Sequence, residues 1–287
     1  VRYQIEHRIK LSFSQAVSEQ HCELRLFPRE SDYQSVESFE LVCKPQVSLF
    51  DYVDSFDNRV HHFSIVPPHQ ELEICCRTVV NNQLENPFHF LSPLPAEEQA
   101  QLAQLLKQEP RFFDYVSSRS DQVPSLTQFK TKWVLPKYDP NKNLLESVQD
   151  AMSWICRHLT YLPGSTEVHN PLEEVLEKRS GVCQDFAHLL IAIVRDWGWP
   201  ARYVMGYQYL KEEEKKTIPA THAWVEIYIP VAGWCGFDVT HQLLTNDTYI
   251  PVAVGRDSYD AAPQRGSYKG PQVGQEPKVF LKVNIPQ

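Results

Sequence analysis

Ser180-Gly181-Val182-Cys183-Gln184-Asp185-Phe186-Ala187-His188-Leu189-Leu190-Ile191-Ala192-Ile193-Val194-Arg195-Asp196-Trp197-Gly198 is the stretch on which the fold turns. Phe186, Leu189, Leu190, Ile193, Val194 and Trp197 recur at three- and four-residue steps, the spacing of one helical face, and the stripe stops at Gly198 with Pro200 beyond it. Cys183 therefore opens a buried helix. A thiol there meets unsatisfied backbone N–H groups and the positive end of the helix dipole, which favour the thiolate and place it as a nucleophile. Asp185, one turn in, opposes that with its own charge, so a cationic partner must come from elsewhere. His188 lies about 140° around the helix from Cys183 and reads as a packing histidine.

Downstream, Ala201 to Leu210 is an apolar strand, Lys211 to Thr217 a charged surface loop, and His222-Ala223-Trp224-Val225-Glu226-Ile227-Tyr228 an alternating strand. Val231-Ala232-Gly233 signals a turn into a second strand, Trp234-Cys235-Gly236-Phe237-Asp238. His222 and Asp238 share parity, so a hairpin that pairs Tyr228 or Pro230 with Trp234 sets both on one face. Closing at Pro230 and Trp234 leaves Asp238 opposite Glu226, about 13 Å along the strand from His222. A longer turn or a bulge that pairs Asp238 near Trp224 brings it to diagonal range, roughly 7 to 8 Å, and we expect that looser turn. Glu226 shares the face of His222 and is the weaker rival as orienting acid. Trp197, Trp199, Trp224 and Trp234 read as core.

Cysteine at a helix start, histidine on one strand and aspartate on its neighbour form the set that nucleophilic acyl transfer needs: Cys183 attacks, His222 takes and returns the proton, Asp238 fixes the tautomer. The Cys183 backbone N–H would meet the oxyanion; Tyr161, Trp133 and Trp154 are candidates for a second donor.

Upstream, the chain has another texture. Tyr3-Ile5, His7-Ile9-Leu11, Cys22-Leu24-Leu26, Phe39-Leu41-Cys43, Val60-His62 and Leu72-Ile74-Cys76 alternate with period two, divided by Asp57-Asn58-Arg59 and Pro67-Pro68. This predicts an N-terminal antiparallel β-sandwich in residues 1–90, in which Cys75 and Cys76 point to opposite faces. Residues 91–287 form the second unit of an α+β chain. It begins with a short helix within Pro93 to Lys107 and a connecting segment from Val123 to Pro140. Leu144, Leu145, Val148, Met152, Ile155 and Leu159 mark an amphipathic helix ending near His158. Asn170-Pro171 with Glu173 reads as a cap, a first-turn proline and a reaching acid for a helix to about Lys178.

At 287 residues, two domains are the prior at ~150 residues each. With 42% hydrophobic and 22% charged residues, and 10 glycines against 21 prolines, collagen-like and disordered classes are excluded. The 28 basic and 36 acidic residues give a net charge of −8, which argues against nucleic acid as a partner. No run reaches the ~18 apolar residues of a membrane helix, and the charged Val1–Lys10 lacks a signal peptide's apolar stretch, although a start at Val1 leaves a removed leader open. The seven cysteines are odd in number and scattered, which favours reduced thiols and a cytoplasmic setting.

Four ordered blocks carry a resemblance: Arg179 to His188, Pro200 to Tyr207, His222 to Glu226, and Gly233 to Thr240 are similar to the bacterial transglutaminase-like superfamily. Ala253 to Asp257 and Ala262 to Gly266 resemble its closing segment, and the β-rich start resembles its bacterial N-terminal domain. The family's cysteine, histidine and aspartate fall on Cys183, His222 and Asp238. The resemblance implies a papain-like catalytic fold with the cysteine-bearing helix packed on an antiparallel sheet, a thioester acyl-enzyme and amide substrates on proteins or peptides. Val239 departs from the proline often found there. Neither an acidic run like that of calcium-dependent relatives nor a CxxC pair like that of zinc-bearing ones is present, so we expect no metal and no cofactor. Hydrolysis is expected ahead of transamidation, because no second site for a lysine is legible. The rivals are a transglutaminase, a non-catalytic binding or scaffold module on the same fold, and a Cys/His metal site.

Overall fold

A computed structural model describes residues 1–84, 93–129, 132–164, 170–211, 221–271 and 277–286. The N-terminal unit is built on β1 (Arg2–Leu24), followed by β2 (Gln34–Lys44), β3 (Phe50–Val53), β4 (Arg59–Ile65) and β5 (His69–Asn82). Residues Arg2 to Ser12 of β1 pair with β5, whereas Gln20 to Leu24 pair with β4, with the register slipping between Ser12 and Val17. One strand thus passes from one antiparallel array to the next and curls the sheet. The inner faces of both arrays, Ile9, Leu11 and Ile74 from one and Leu24, Phe63 and Ile65 from the other, share a buried core. Cys76 lies in that core and Cys75 is half-buried, the opposition that strand alternation predicts.

The second unit follows as α1 (Pro95–Gln108), α2 (Phe112–Ser117), a 3-10 turn at Leu126–Phe129, α3 (Leu144–His158), β6 (Thr160–Tyr161), α4 (Leu172–Lys178), β7 (Ser180–Gly181) and α5 (Cys183–Asp196). Then come β8 (Ala201–Gln208), β9 (His222–Ile229), β10 (Gly233–Asp238), β11 (Leu243–Leu244), β12 (Tyr249–Gly255), β13 (Gln264–Lys269) and β14 (Lys278–Asn284). α3 and α5 fall where the apolar spacing sets them and α1 near its expected span, whereas α2 carried no expectation and the 3-10 turn lies in the segment read as a connector. α4 starts one residue later than expected: Pro171, not Asn170, is the cap, because its extended backbone (ψ 144°) keeps it outside the first turn. Of the charged loop expected at Lys211 to Thr217, residues 212–217 lie outside the described residues.

α5 is apolar on nearly every side because it sits at the centre of the second unit, against β8 and β9 on one side and α3 on another. Its buried polar groups all have partners. The His188 Nε2 accepts from the Ser258 N–H at 3.1 Å, and Arg195 donates to the carbonyls of Tyr115, Ala201, Ser118 and Arg256. Such full satisfaction is what allows a histidine and an arginine to stay inside.

β8 to β12 form an antiparallel sheet in the order β11-β10-β9-β8-β12, which leaves β12 as an edge. The N-terminal unit closes that edge with side chains. Asn58 accepts from the Val254 N–H at 2.8 Å and donates to the Val254 carbonyl at 2.7 Å; Gln34 donates to Pro251 O at 3.0 Å, and Asn82 to Tyr249 O at 2.8 Å. Tyr3, Ile5 and Val80 of the first unit join the apolar core of the second. The chain also returns: β13 and β14, in the 91–287 segment, both pair with β1.

Candidate active site

Cys183 is the first residue of α5. Val182 before it is extended, and its N–H donates to the Asp185 side chain at 2.8 Å. Asp185 thus bends back to cap the turn. Its carboxylate, expected from sequence to oppose the thiolate, is engaged upstream of the thiol.

His222 begins β9, with β8 on one side (Gly206 opposite it) and β10 on the other. The hairpin adopts the Tyr228–Trp234 pairing, and its register runs on to Phe237 opposite Val225, so Asp238 follows beside Trp224. The longer turn expected for this placement is not what achieves it. Ile229 pairs with Gly233 across only Pro230, Val231 and Ala232, and Gly233 takes a left-handed conformation (φ 77°) that closes so short a loop.

The His222 Nε2 and the Asp238 Oδ2 lie 2.8 Å apart, with Asp238 wholly buried. Oδ2 is also 2.7 Å from the His241 Nδ1 and accepts from the Tyr249 hydroxyl at 2.8 Å. Oδ1 accepts the Thr240 N–H at 2.9 Å and the His241 N–H at 3.3 Å. Burial alone would raise the Asp238 carboxyl, but hydrogen bonds from His222 and His241 outweigh it and hold the group well below the usual carboxylate range. An ionised carboxylate only accepts, so both imidazole nitrogens facing it carry hydrogen. With its Nε2 hydrogen on Asp238, the neutral His222 ring leaves Nδ1 as the nitrogen able to accept a proton. Burial lowers the ring, yet hydrogen bonds to Asp238 and to Cys183 overcome that and bring it up to about 10. Asp238 thus holds His222, and Cys183 is the other group that acts on that ring.

Other expectations resolve by geometry. Glu226, four residues along β9 from His222, does not orient it: its carboxylate pairs with Arg202, whose Nε donates at 2.7 Å. His188 is buried, and burial pushes it down to about 3. Tyr161, half-exposed, is pushed up to about 12 by burial and by the charges of Cys183 and Asp238, and its ring meets Phe186 of α5 edge-on at 6.0 Å. Trp154 instead stacks on His158 with ring centroids 4.1 Å apart, and Trp133 lies under the Arg179 guanidinium at 5.4 Å.

Sequence reasoning missed His241 and Tyr249. The turn after Asp238 was legible, since aspartate commonly accepts backbone N–H groups two and three residues on, which swings residue 241 back toward its carboxylate. Tyr249 carried no such local signal. Donor atoms of His222, Asp238 and His241 lie within 4.8 Å of one another because both rings donate N–H to the carboxylate, and nitrogens that carry hydrogen do not ligate a metal.

The bacterial transglutaminase-like N-terminal region matches residues 3–81, and the transglutaminase-like superfamily core matches residues 133–239. A Mycobacterium leprae protein is 30% identical over 274 residues, covering 94% of each chain. A protein-glutamine gamma-glutamyltransferase of Pseudomonas aeruginosa is 32% identical over 93 residues, 29% of this chain and 13% of that one. Among solved structures, a Cytophaga hutchinsonii protein described as a candidate cysteine protease superposes over 100% of this chain and 91% of its own, with a TM-score of 0.76 at 22% identity. No helix among the described residues is long and apolar enough to cross a membrane.

Proposed function

This chain belongs to the transglutaminase-like superfamily, and from that premise we propose that it is a cysteine-dependent amide hydrolase acting on protein or peptide substrates. One observation carries the reading: the thiol of Cys183 at a helix start meets one nitrogen of His222 while Asp238 holds the other. His222 Nδ1 takes the thiol proton and the sulfur attacks the substrate carbonyl. The imidazolium then gives that proton to the departing amine, leaving a thioester on Cys183. His222 next deprotonates a water that attacks the thioester, and the proton returns to sulfur as the acid leaves. Asp238 keeps the ring in the tautomer that both halves need. The oxyanion is met by the backbone N–H of Cys183, with the Tyr161 hydroxyl as second donor.

A second reading, transfer of the acyl group to an amine, draws support from the similarity to the Pseudomonas glutamyltransferase. One experiment separates the two. A peptide mixture incubated with the protein and a primary amine is read by mass spectrometry: cleaved backbones or deamidated glutamines support hydrolysis, and amine adducts support transfer. A scaffold without chemistry gives none of these. In that case a mild electrophile would also label Cys183 equally slowly in wild type and His222→Ala.

A further inference from the structure

The Asp238 carboxylate has more donors than a single histidine partner needs. His222, His241 and Tyr249 all converge on Oδ2, at 2.8, 2.7 and 2.8 Å, while two backbone N–H groups occupy Oδ1. A carboxylate offers about four lone-pair directions for these five donors, so the three on Oδ2 draw on the same electron density.

Tyr249 is the most tightly specified of them. Its hydroxyl has one hydrogen, and the Gln208 Nε2, which can only donate, supplies a hydrogen bond to the same oxygen at 2.9 Å. The phenolic hydrogen is therefore directed to Asp238. The ring is buried and packs edge-on against Trp224, at 5.4 Å and 78°. Its backbone is fixed as well, because the carbonyl of Tyr249 accepts from Asn82, itself fully buried at the end of β5. The N-terminal unit thereby reaches the carboxylate through one residue of the β12 edge. Asp238 otherwise faces His222 and His241, its charge is felt by Cys156 and Tyr161, and Cys183 joins through the His222 ring.

Taking Cys183 and His222 as nucleophile and base, as proposed above, we infer that Tyr249 is a positioning residue for Asp238, whose hydroxyl spreads the carboxylate charge and so limits how strongly Asp238 binds the His222 imidazolium. A neutral donor on an anion stabilises that anion and weakens its attraction for the neighbouring proton. Without the hydroxyl, the charge falls more fully on His222. The imidazolium is then favoured over the neutral ring and holds its proton to higher pH.

The test is Tyr249→Phe, which keeps ring and packing, with the His222 ring titrated by NMR from pH 5 to 11 and its signal assigned by loss in His222→Ala. The titration moves to higher pH by about half a unit, a ~3-fold tighter hold on the proton. A titration that coincides with wild type, or moves to lower pH, overturns the inference, whatever happens to the melting temperature. Alkylation of Cys183 by iodoacetamide at low pH runs alongside. If His222→Ala removes that reactivity while Tyr249→Phe leaves the titration in place, only the role of Tyr249 falls; if the reactivity survives His222→Ala, the reading of the base falls and that of Tyr249 with it.

Discussion

Replacing Asp238 with asparagine changes a single atom in the contact chain, and its effect can be worked from the hydrogen positions. Both carboxylate oxygens face donors only: Oδ1 two backbone N–H groups, Oδ2 the His222 ring, the His241 ring and the Tyr249 hydroxyl. The backbone donors are covalently fixed, so the asparagine oxygen must take the Oδ1 side and its NH2 the Oδ2 side. There the imidazoles can adapt only by changing tautomer. His222 then moves its hydrogen to Nδ1, which points at Cys183, and a nitrogen that already bears hydrogen cannot accept the thiol proton. An equivalent tautomer error in serine proteases costs about 10⁴-fold, or roughly 5 kcal/mol of transition-state stabilisation. We expect Asp238→Asn to fold at a cost of ~1–3 kcal/mol, because both imidazoles find a donor in the amide while the Tyr249 hydroxyl loses its acceptor, and to lose about four orders of magnitude in kcat on whichever peptide the screen identifies, with KM little changed. Circular dichroism melts and steady-state kinetics measure the two. A folded Asp238→Asn protein that retains turnover within tenfold of wild type would refute this account of the tautomer and remove Asp238 from the mechanism.

Further predictions concern the scaffold that holds the site. A Cβ on Gly206 would stand 2.3 Å from the Ile250 carbonyl and 2.4 Å from the Trp224 ring, which packs near His222; Gly206→Ala should lose ~1–3 kcal/mol in urea melts and slow Cys183 alkylation, and an unaffected site would show that Trp224 does not support it. Asn58→Ala orphans the buried N–H and C=O of Val254, and at ~1–3 kcal/mol for each group should lower stability by about 2–6 kcal/mol; a loss under 1 kcal/mol would mean that water replaces the side chain. Burial holds His7 down at about 4 and His188 at about 3, so below about pH 6.5 the unfolded chain binds protons that the folded chain refuses. Their contribution is complete above pH 6.5 and is lost as pH falls toward 4 and then 3. The urea midpoint should therefore drop steadily across that window, and the His7→Phe, His188→Leu double variant should flatten the drop.

Much of this organisation is written locally. The alternation of Tyr3 to Leu11 and Leu72 to Cys76 indicates half-buried strands because a pleated chain exposes every second side chain, and the stripe from Phe186 to Val194 indicates a buried helix because that spacing makes one face. From these follow the Cys183 position at a helix start and the shared parity of His222 and Asp238. What local pattern cannot hold is distance across the fold. Whether Asp238 stands beside Trp224 or Glu226 depends on a one-residue choice in the turn, settled by the left-handed Gly233. The partner of Glu226 is Arg202, on the strand alongside. The additional donors on Asp238 divide in the same way. His241 is held by a turn that the sequence could have indicated, whereas Tyr249 arrives only because β12 lies at the edge of the sheet and the N-terminal unit clamps it through Asn82, 167 residues away. Sequence fixes which face a side chain takes, since that is a matter of backbone period. Which side chains share one carboxylate is decided by tertiary packing, because only the folded chain brings remote strands within hydrogen-bond reach.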